Sequence, residues 1–246
     1  MSAHDRRTSP AADRNKDPIL QVLRRLLPDR AVVLEIAAGT GQHAAHFAAQ
    51  QPGWTWLPTD GDAAALTSIA AWCAGLPNVR TPQHLDLLAA RPDPVTSSSS
   101  PPDEIDEVSA YWREIPIGID AIWCANLLHI APWATCAALM QGATRHLAPG
   151  GVLITYGPYR VDGEPTAPSN LAFDADLKQR DPAWGLRRLA DVADTAARAG
   201  LSLDARIAMP ANNLVLVFRR QRARRQADSP DSIDSPDSID SPDQPE

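Results

Sequence analysis

Residues 31–42, Ala-Val-Val-Leu-Glu-Ile-Ala-Ala-Gly-Thr-Gly-Gln, constrain the fold of this chain more than any other stretch. The consecutive apolar residues of Ala31–Ile36 read as a strand buried on both faces. The run breaks into a turn of small residues, and a helix pattern begins near Gln42. A strand, a Gly-rich turn and a helix start together let a ligand approach the backbone and offer it unpaired N–H groups. Gly39 and Gly41 are the positions where a Cβ would obstruct that approach. A phosphate-binding loop would place Lys and Ser or Thr after the last glycine, and here Gln42-His43 follows. A dinucleotide fingerprint wants a third glycine at position 44, which is Ala. Glu35 would repel a pyrophosphate and suits a cationic or hydroxyl-bearing ligand. A tight turn with no ligand is the alternative reading of these residues.

The chain has 246 residues, enough for one α/β domain, and 44% hydrophobic content suffices for a packed core. Cys73, Cys124 and Cys136 form no Cys-x-x-Cys pair, which points to a reducing, cytoplasmic setting rather than a disulfide scaffold or zinc ribbon. The N-terminus is polar and no apolar run approaches the length of a membrane span. The formal net charge of −7 is concentrated in the tail. Residues 228–246 carry seven acids and no base, which leaves 23 acids against 23 bases in the body. A balanced body has no bulk footprint for nucleic acid. Five arginines in 219–225 lie beside the acidic repeat, which can neutralise them.

Residues 1–15 read as a polar, mobile segment and a candidate lid, within which Ser9-Pro-Ala-Ala-Asp-Arg-Asn15 is compact enough to dock. A helix pattern runs from Pro18 and stops at Pro28. After the first strand, His43 and His46 lie three apart on the next helix without a carboxylate or Cys partner, so a surface or cap role is favoured over metal, and no metal is expected. Residues 53–58 read as a second strand ending at Asp60. An acid some way past a Gly turn is where a carboxylate meets a ribose hydroxyl pair, and helix capping is the competing role. A third strand is expected over 79–85, ending at Asp86. Residues 91–116 are rich in Pro and Ser and then acidic, which reads as a surface insertion from which Tyr111 and Trp112 pack back. A buried strand returns near 117–125 and ends in Asn126-Leu-Leu-His129. A helix over 133–146, a fifth strand over 152–156 ending at Tyr156, a short helix capped by Ser169, a helix over 186–199 and a terminal hairpin complete the domain. The tail, 221–246, reads as disordered by composition.

This order predicts a doubly wound, mostly parallel seven-stranded sheet with helices on both faces and a C-terminal antiparallel hairpin, over residues 16–220. Glu35-x-x-x-Gly39-x-Gly41 is similar to motif I of the class I S-adenosylmethionine (SAM) methyltransferases. Ser9-Pro-Ala-Ala-Asp-Arg-Asn-Lys, Cys124-Ala-Asn-Leu-Leu-His-Ile-Ala-Pro-Trp, Tyr156-Gly-Pro-Tyr, Pro168-Ser-Asn-Leu-Ala-Phe-Asp and Met209-Pro-Ala-Asn-Asn-Leu resemble more narrowly the uncharacterised family UPF0585, whose animal members are called methyltransferase-like 26. The resemblance implies SAM as cofactor and no established acceptor. It implies that Glu35 and the backbone of Ala37, Gly39 and Gly41 meet the methionine end, Asp60 the ribose, and Asp86 with Leu87 the adenine. Asn126 would hold the amino group or place the acceptor. His129 is the candidate general base. Tyr156 and Tyr159 would line the acceptor pocket, Asn170, Asn212 and Asn213 would bind substrate, and Arg14 and Asn15 would close over it. A small-molecule acceptor is expected; a SAM-binding or interaction module without turnover is the second reading.

Overall fold

The computed structural model describes residues 5–88, 112 and 114–220. Seven strands form one sheet in the order β3-β2-β1-β4-β5-β7-β6. β1 (Ala31–Ile36), β2 (Trp54–Asp60), β3 (Gln83–His84), β4 (Ile119–Ala125) and β5 (Leu147–Gly157) run parallel, while β6 (Leu201–Met209) and β7 (Asn213–Arg220) form the antiparallel hairpin. The order reverses between β1 and β4, and open α/β sheets bind ligands at the strand ends beside such a reversal. Register places Ile36 beside Cys124, so both strands end at the same level.

One face of the sheet packs under α1 (Pro10–Leu26), α2 (Gln42–Gln50) and α3 (Ala63–Cys73), around Trp54, Trp56, Phe47 and Trp123. The other packs under α4 (Ala134–His146) and α6 (Leu189–Arg198), around Leu34, Ile122 and Leu153. α5 (Pro168–Arg180) stands beyond the end of β5. Central strands covered on both faces explain why β1 and β4 read as continuous apolar runs rather than alternating ones.

Five elements differ from the sequence expectation, the first being β5, which begins at Leu147 rather than at 152 and runs through Pro149, Gly150 and Gly151. α1 begins at Pro10, capped by the Ser9 hydroxyl, and Pro18 lies inside it. Pro18 has no N–H to give Arg14, so one bond of the helix is missing, and the buried stripe of Ile19, Leu20, Val22 and Leu23 carries the helix through. Arg7 and Ser9, ahead of the helix, are held by hydrogen bonds. The Arg7 amide donates to Ser68 Oγ at 2.8 Å, the Trp72 indole to the Arg7 carbonyl at 2.8 Å, and the Ser9 amide to Gln42. The third strand shrinks to two residues after an isolated bridge from Val79 to Trp56. The helix expected to start at a Ser169 cap starts at Pro168, with no side-chain cap. The helix expected over 186–199 begins only at Leu189.

Most of the expected insertion, with Tyr111, and the whole tail lie outside the described residues. Trp112 does pack back. It is fully buried, stacked on His146 at 5.0 Å, and a Cβ at Gly142 would stand 2.1 Å from its ring.

Candidate active site at the ends of β1, β4 and β5

The turn after β1 is built from left-handed backbone. Ala37 (φ 55°), Gly39 (φ 60°) and Gly41 (φ 86°) all have positive φ. For Ala37 that conformation costs on the order of 1 kcal/mol, and such strain concentrates where a site must be shaped. The two glycines serve different ends. A Cβ on Gly39 would meet nothing within 4 Å, so the loop is open there. A Cβ on Gly41 would stand 2.6 Å from Ile69 Cα, so Gly41 exists to let α2 start against α3. Gly41 does not line the cavity described below, and its backbone N–H donates to the Ala38 carbonyl at 3.0 Å.

Asp60, at the end of β2, holds the turn. Its Oδ2 accepts from the Gly39 amide and its Oδ1 from the Asp62 amide, each at 2.8 Å. Asp62 caps α3 through the Ala64 amide. Together they frame a cavity of about 590 Å³ with Ala37, Gly39, Asp86 and Leu87 on its wall and Leu127 opposite. Four carboxylates, Asp60, Asp62, Asp86 and Asp181, line it; its one cation, Arg7, is paired with Asp62 at 3.2 Å.

Glu35 does not reach this cavity. Its carboxyl is turned into the tryptophan-rich face, where it accepts from the Trp56 indole at 2.7 Å. The Trp123 indole stands alongside without a well-formed hydrogen bond. Burial raises its pKa to about 8, so the group is a neutral acid at neutral pH. Direct ligand contact by Glu35 is therefore corrected: consecutive strand residues point to opposite faces, and this one points to α2.

A second cavity of about 680 Å³ opens above β5, lined by Arg14, Asn15, Asn126, Tyr156, Asn170 and Asn213. Asn126, left-handed at φ 60°, ends β4 and lines this cavity, while its neighbour Leu127 lines the first. Consecutive residues at the end of β4 thus line the two cavities. Asn15 Oδ1 accepts from His43 Nε2 at 2.7 Å, and Asn15 also stands by the Tyr156 hydroxyl, whose pKa burial raises. Burial lowers the His43 pKa to about 4, so that ring is neutral. The Asn170 side-chain amide donates to the Asn212 carbonyl at 2.9 Å, joining α5 to the β6–β7 turn, and that of Asn213 donates to the Pro210 carbonyl at 3.1 Å within the turn.

Three expected residues lie elsewhere. His129 is fully buried and lines neither cavity; a Cβ at Gly157 would stand 2.3 Å from its Nε2. Burial lowers its pKa to about 3, and both ring nitrogens lack well-formed hydrogen bonds. A general base must touch an acceptor, so that role is corrected; the ring packs edge-on against Tyr159 at 4.8 Å. Tyr159 bonds Thr155 at 2.8 Å beneath the sheet and, with Asn212, borders a smaller neighbouring cavity of about 270 Å³. Among the described residues no group of three or more His, Cys, Asp or Glu could hold a metal. His46 pairs with Asp17 at 2.9 Å instead.

Sequence reasoning missed several contributors. Phe173, Met209 and Pro210 give the second cavity apolar walls. Buried Asp174 binds Arg160, Lys178 and the Leu186 amide. Arg187 donates to the carbonyls of Leu128, Ala131 and Ala183 at 2.6–2.8 Å and so fixes the loop after β4. Asp174 closes the motif Pro168-Ser-Asn-Leu-Ala-Phe-Asp, and Arg187 stands at the start of the helix expected over 186–199; their charges were the signal that the sequence offered.

The architecture is that of the class I methyltransferases. A chain of known structure described as an O-methyltransferase family protein from Burkholderia thailandensis superposes with a TM-score of 0.63 at 19% identity, over 87% of this chain and 58% of that one. The pyocyanin biosynthetic protein PhzM gives 0.61 at 17%, over 86% and 59%. The mitomycin 7-O-methyltransferase MmcR gives 0.63 at 16%, over 85% and 55%. This chain spans little more than half the length of each, and the likeness is one of fold. Residues 6–220 match the family described as a protein of unknown function (DUF938), and the chain belongs to that family.

Among the described residues no helix is long and apolar enough to cross a membrane. The three cysteines are free and buried.

Proposed function

We propose that this chain is a SAM-dependent methyltransferase acting on a small-molecule acceptor. The observation that carries the proposal is the first cavity. It lies where the strand order reverses, the Gly39 turn opens onto it, and four carboxylates line it. A dinucleotide or nucleotide phosphate would meet those carboxylates with like charge, whereas a sulfonium ligand is a cation. The reason for excluding a pyrophosphate thus passes from Glu35, neutral and buried, to the acids of the wall. The fold shared with O-methyltransferases supports the same reading, as does the resemblance of the motifs to UPF0585.

Asp60 would accept from the ribose hydroxyls through lone pairs not used by Gly39 and Asp62, and Asp86 with Leu87 would hold the adenine. When bound, the cofactor supplies an electrophilic methyl on sulfur. The chain's task is then to position the acceptor. Asn126, at the end of β4, would orient the acceptor with Tyr156. Arg14 and Asn15 on α1, with Asn170 and Asn213, would hold its far side. With His129 removed from the site, no side chain of the second cavity is a strong base, so the reading favours an acceptor that is nucleophilic once oriented.

Calorimetry tests the reading: S-adenosylhomocysteine should bind at micromolar concentration and NAD at least a hundredfold more weakly. Preference for NAD, or no binding of S-adenosylhomocysteine at millimolar concentration, would reject it.

A further inference from the structure

The two cavities have opposite electrostatic character. The first carries four carboxylates against one paired arginine. The wall of the second has one charged residue, Arg14, and no carboxylate. Of the acids near Arg14 on α1, Asp13 is hydrogen-bonded to Lys16, and Asp17 Oδ1 lies 2.9 Å from His46 Nε2. No carboxylate is hydrogen-bonded to Arg14 among the described residues, and the residue is exposed and lines the cavity. The remaining wall is largely apolar, from Tyr156, Pro158, Phe173, Met209 and Pro210. At the end of β4 the Asn126 backbone N–H donates to the Tyr156 carbonyl at 2.7 Å, while its side-chain amide has no hydrogen-bond partner among the described residues and lines the cavity.

We propose that the second cavity takes an organic monoanion, a carboxylate on a flat apolar body, with the carboxylate at Arg14 and a neutral polar group at Asn126. The proposal rests on the reading of this cavity as the acceptor site. The charges set the orientation. The carboxylate is drawn to the guanidinium, which offers a bidentate fork, and is repelled by the acidic first cavity. The opposite, uncharged end of the molecule is thereby the one presented toward the cofactor. A cationic acceptor would have no counter-charge here, and a neutral one would leave Arg14 without a role in the cavity.

Three probes of one shape, 2-naphthoate, 2-naphthol and 2-naphthylmethylammonium, test this by calorimetry on the full chain, with and without S-adenosylhomocysteine. Naphthoate should bind at least tenfold more tightly than the other two. Arg14→Gln should abolish the preference and Arg14→Lys should keep part of it, with S-adenosylhomocysteine affinity unchanged in both. Equal binding of the three probes, no binding of naphthoate at millimolar concentration, or a preference that survives Arg14→Gln overturns the proposal. So does a tenfold loss of S-adenosylhomocysteine affinity in Arg14→Gln, which would put Arg14 on the cofactor's own carboxylate. Intact naphthoate preference in a chain that binds no S-adenosylhomocysteine would uphold the anion site and defeat the methyltransferase reading alone.

Discussion

Replacing Glu35 by Gln tests the buried acid beneath the turn. In the fold its pKa is raised to about 8 by burial, against an ordinary 4.5. A group whose folded pKa is raised gives its full contribution below the unfolded pKa and loses it as pH climbs through the folded one. Between pH 5 and pH 8 the unfolded chain has released this proton while the folded chain holds it. The wild type should therefore lose about 3 kcal/mol of stability over that interval from this one group. Glu35→Gln keeps the size and the acceptor for the Trp56 indole and removes the ionisation. The buried rings of His43 and His129, with pKa values lowered to about 4 and about 3, work in the opposite direction but equally in both proteins. The difference between the two proteins therefore isolates Glu35. Urea denaturation at pH 5, 6, 7 and 8 reads it: the mutant should gain steadily on the wild type as pH rises. Parallel curves would mean that Glu35 is ionised in the fold and that water reaches it, which would refute the buried placement.

Three more substitutions separate shape from binding. Gly41→Ala should destabilise the domain by more than about 2 kcal/mol, since its Cβ meets the backbone of Ile69 at positive φ; an unchanged melting temperature would contradict that. Gly39→Ala, with open space for its Cβ, should cost only about 1 kcal/mol of stability but at least tenfold in S-adenosylhomocysteine affinity, read by calorimetry. Trp112→Ala should cost roughly 3–5 kcal/mol by chemical denaturation, because its ring fills the space over Gly142.

The sheet was legible because its central strands are short apolar runs and its turns carry Gly, Asp and Asn at their ends. The Gly39 turn, Asp60 and Asn126 were legible for the same reason: each stands where a strand stops. Which way a side chain points was not. Glu35 and His129 sit in motifs that suggest chemistry, yet strand parity sends one under α2 and burial encloses the other beneath Gly157. The length of α1 was hidden because Pro18 reads locally as a start, and only packing on the sheet carries the helix past it. Phe173 and Met209 were hidden because they come from elements far apart in the chain, and only the fold sets them together.

The central claim is that the cavity framed by Gly39, Asp60 and Asp86 holds S-adenosylmethionine. A crystal structure of the chain with S-adenosylhomocysteine tests it most directly. The account predicts the ribose hydroxyls on Asp60, the adenine beside Asp86 and Leu87, and the sulfur directed toward Asn126. A ligand found elsewhere, or crystals that stay empty at millimolar ligand, would contradict it.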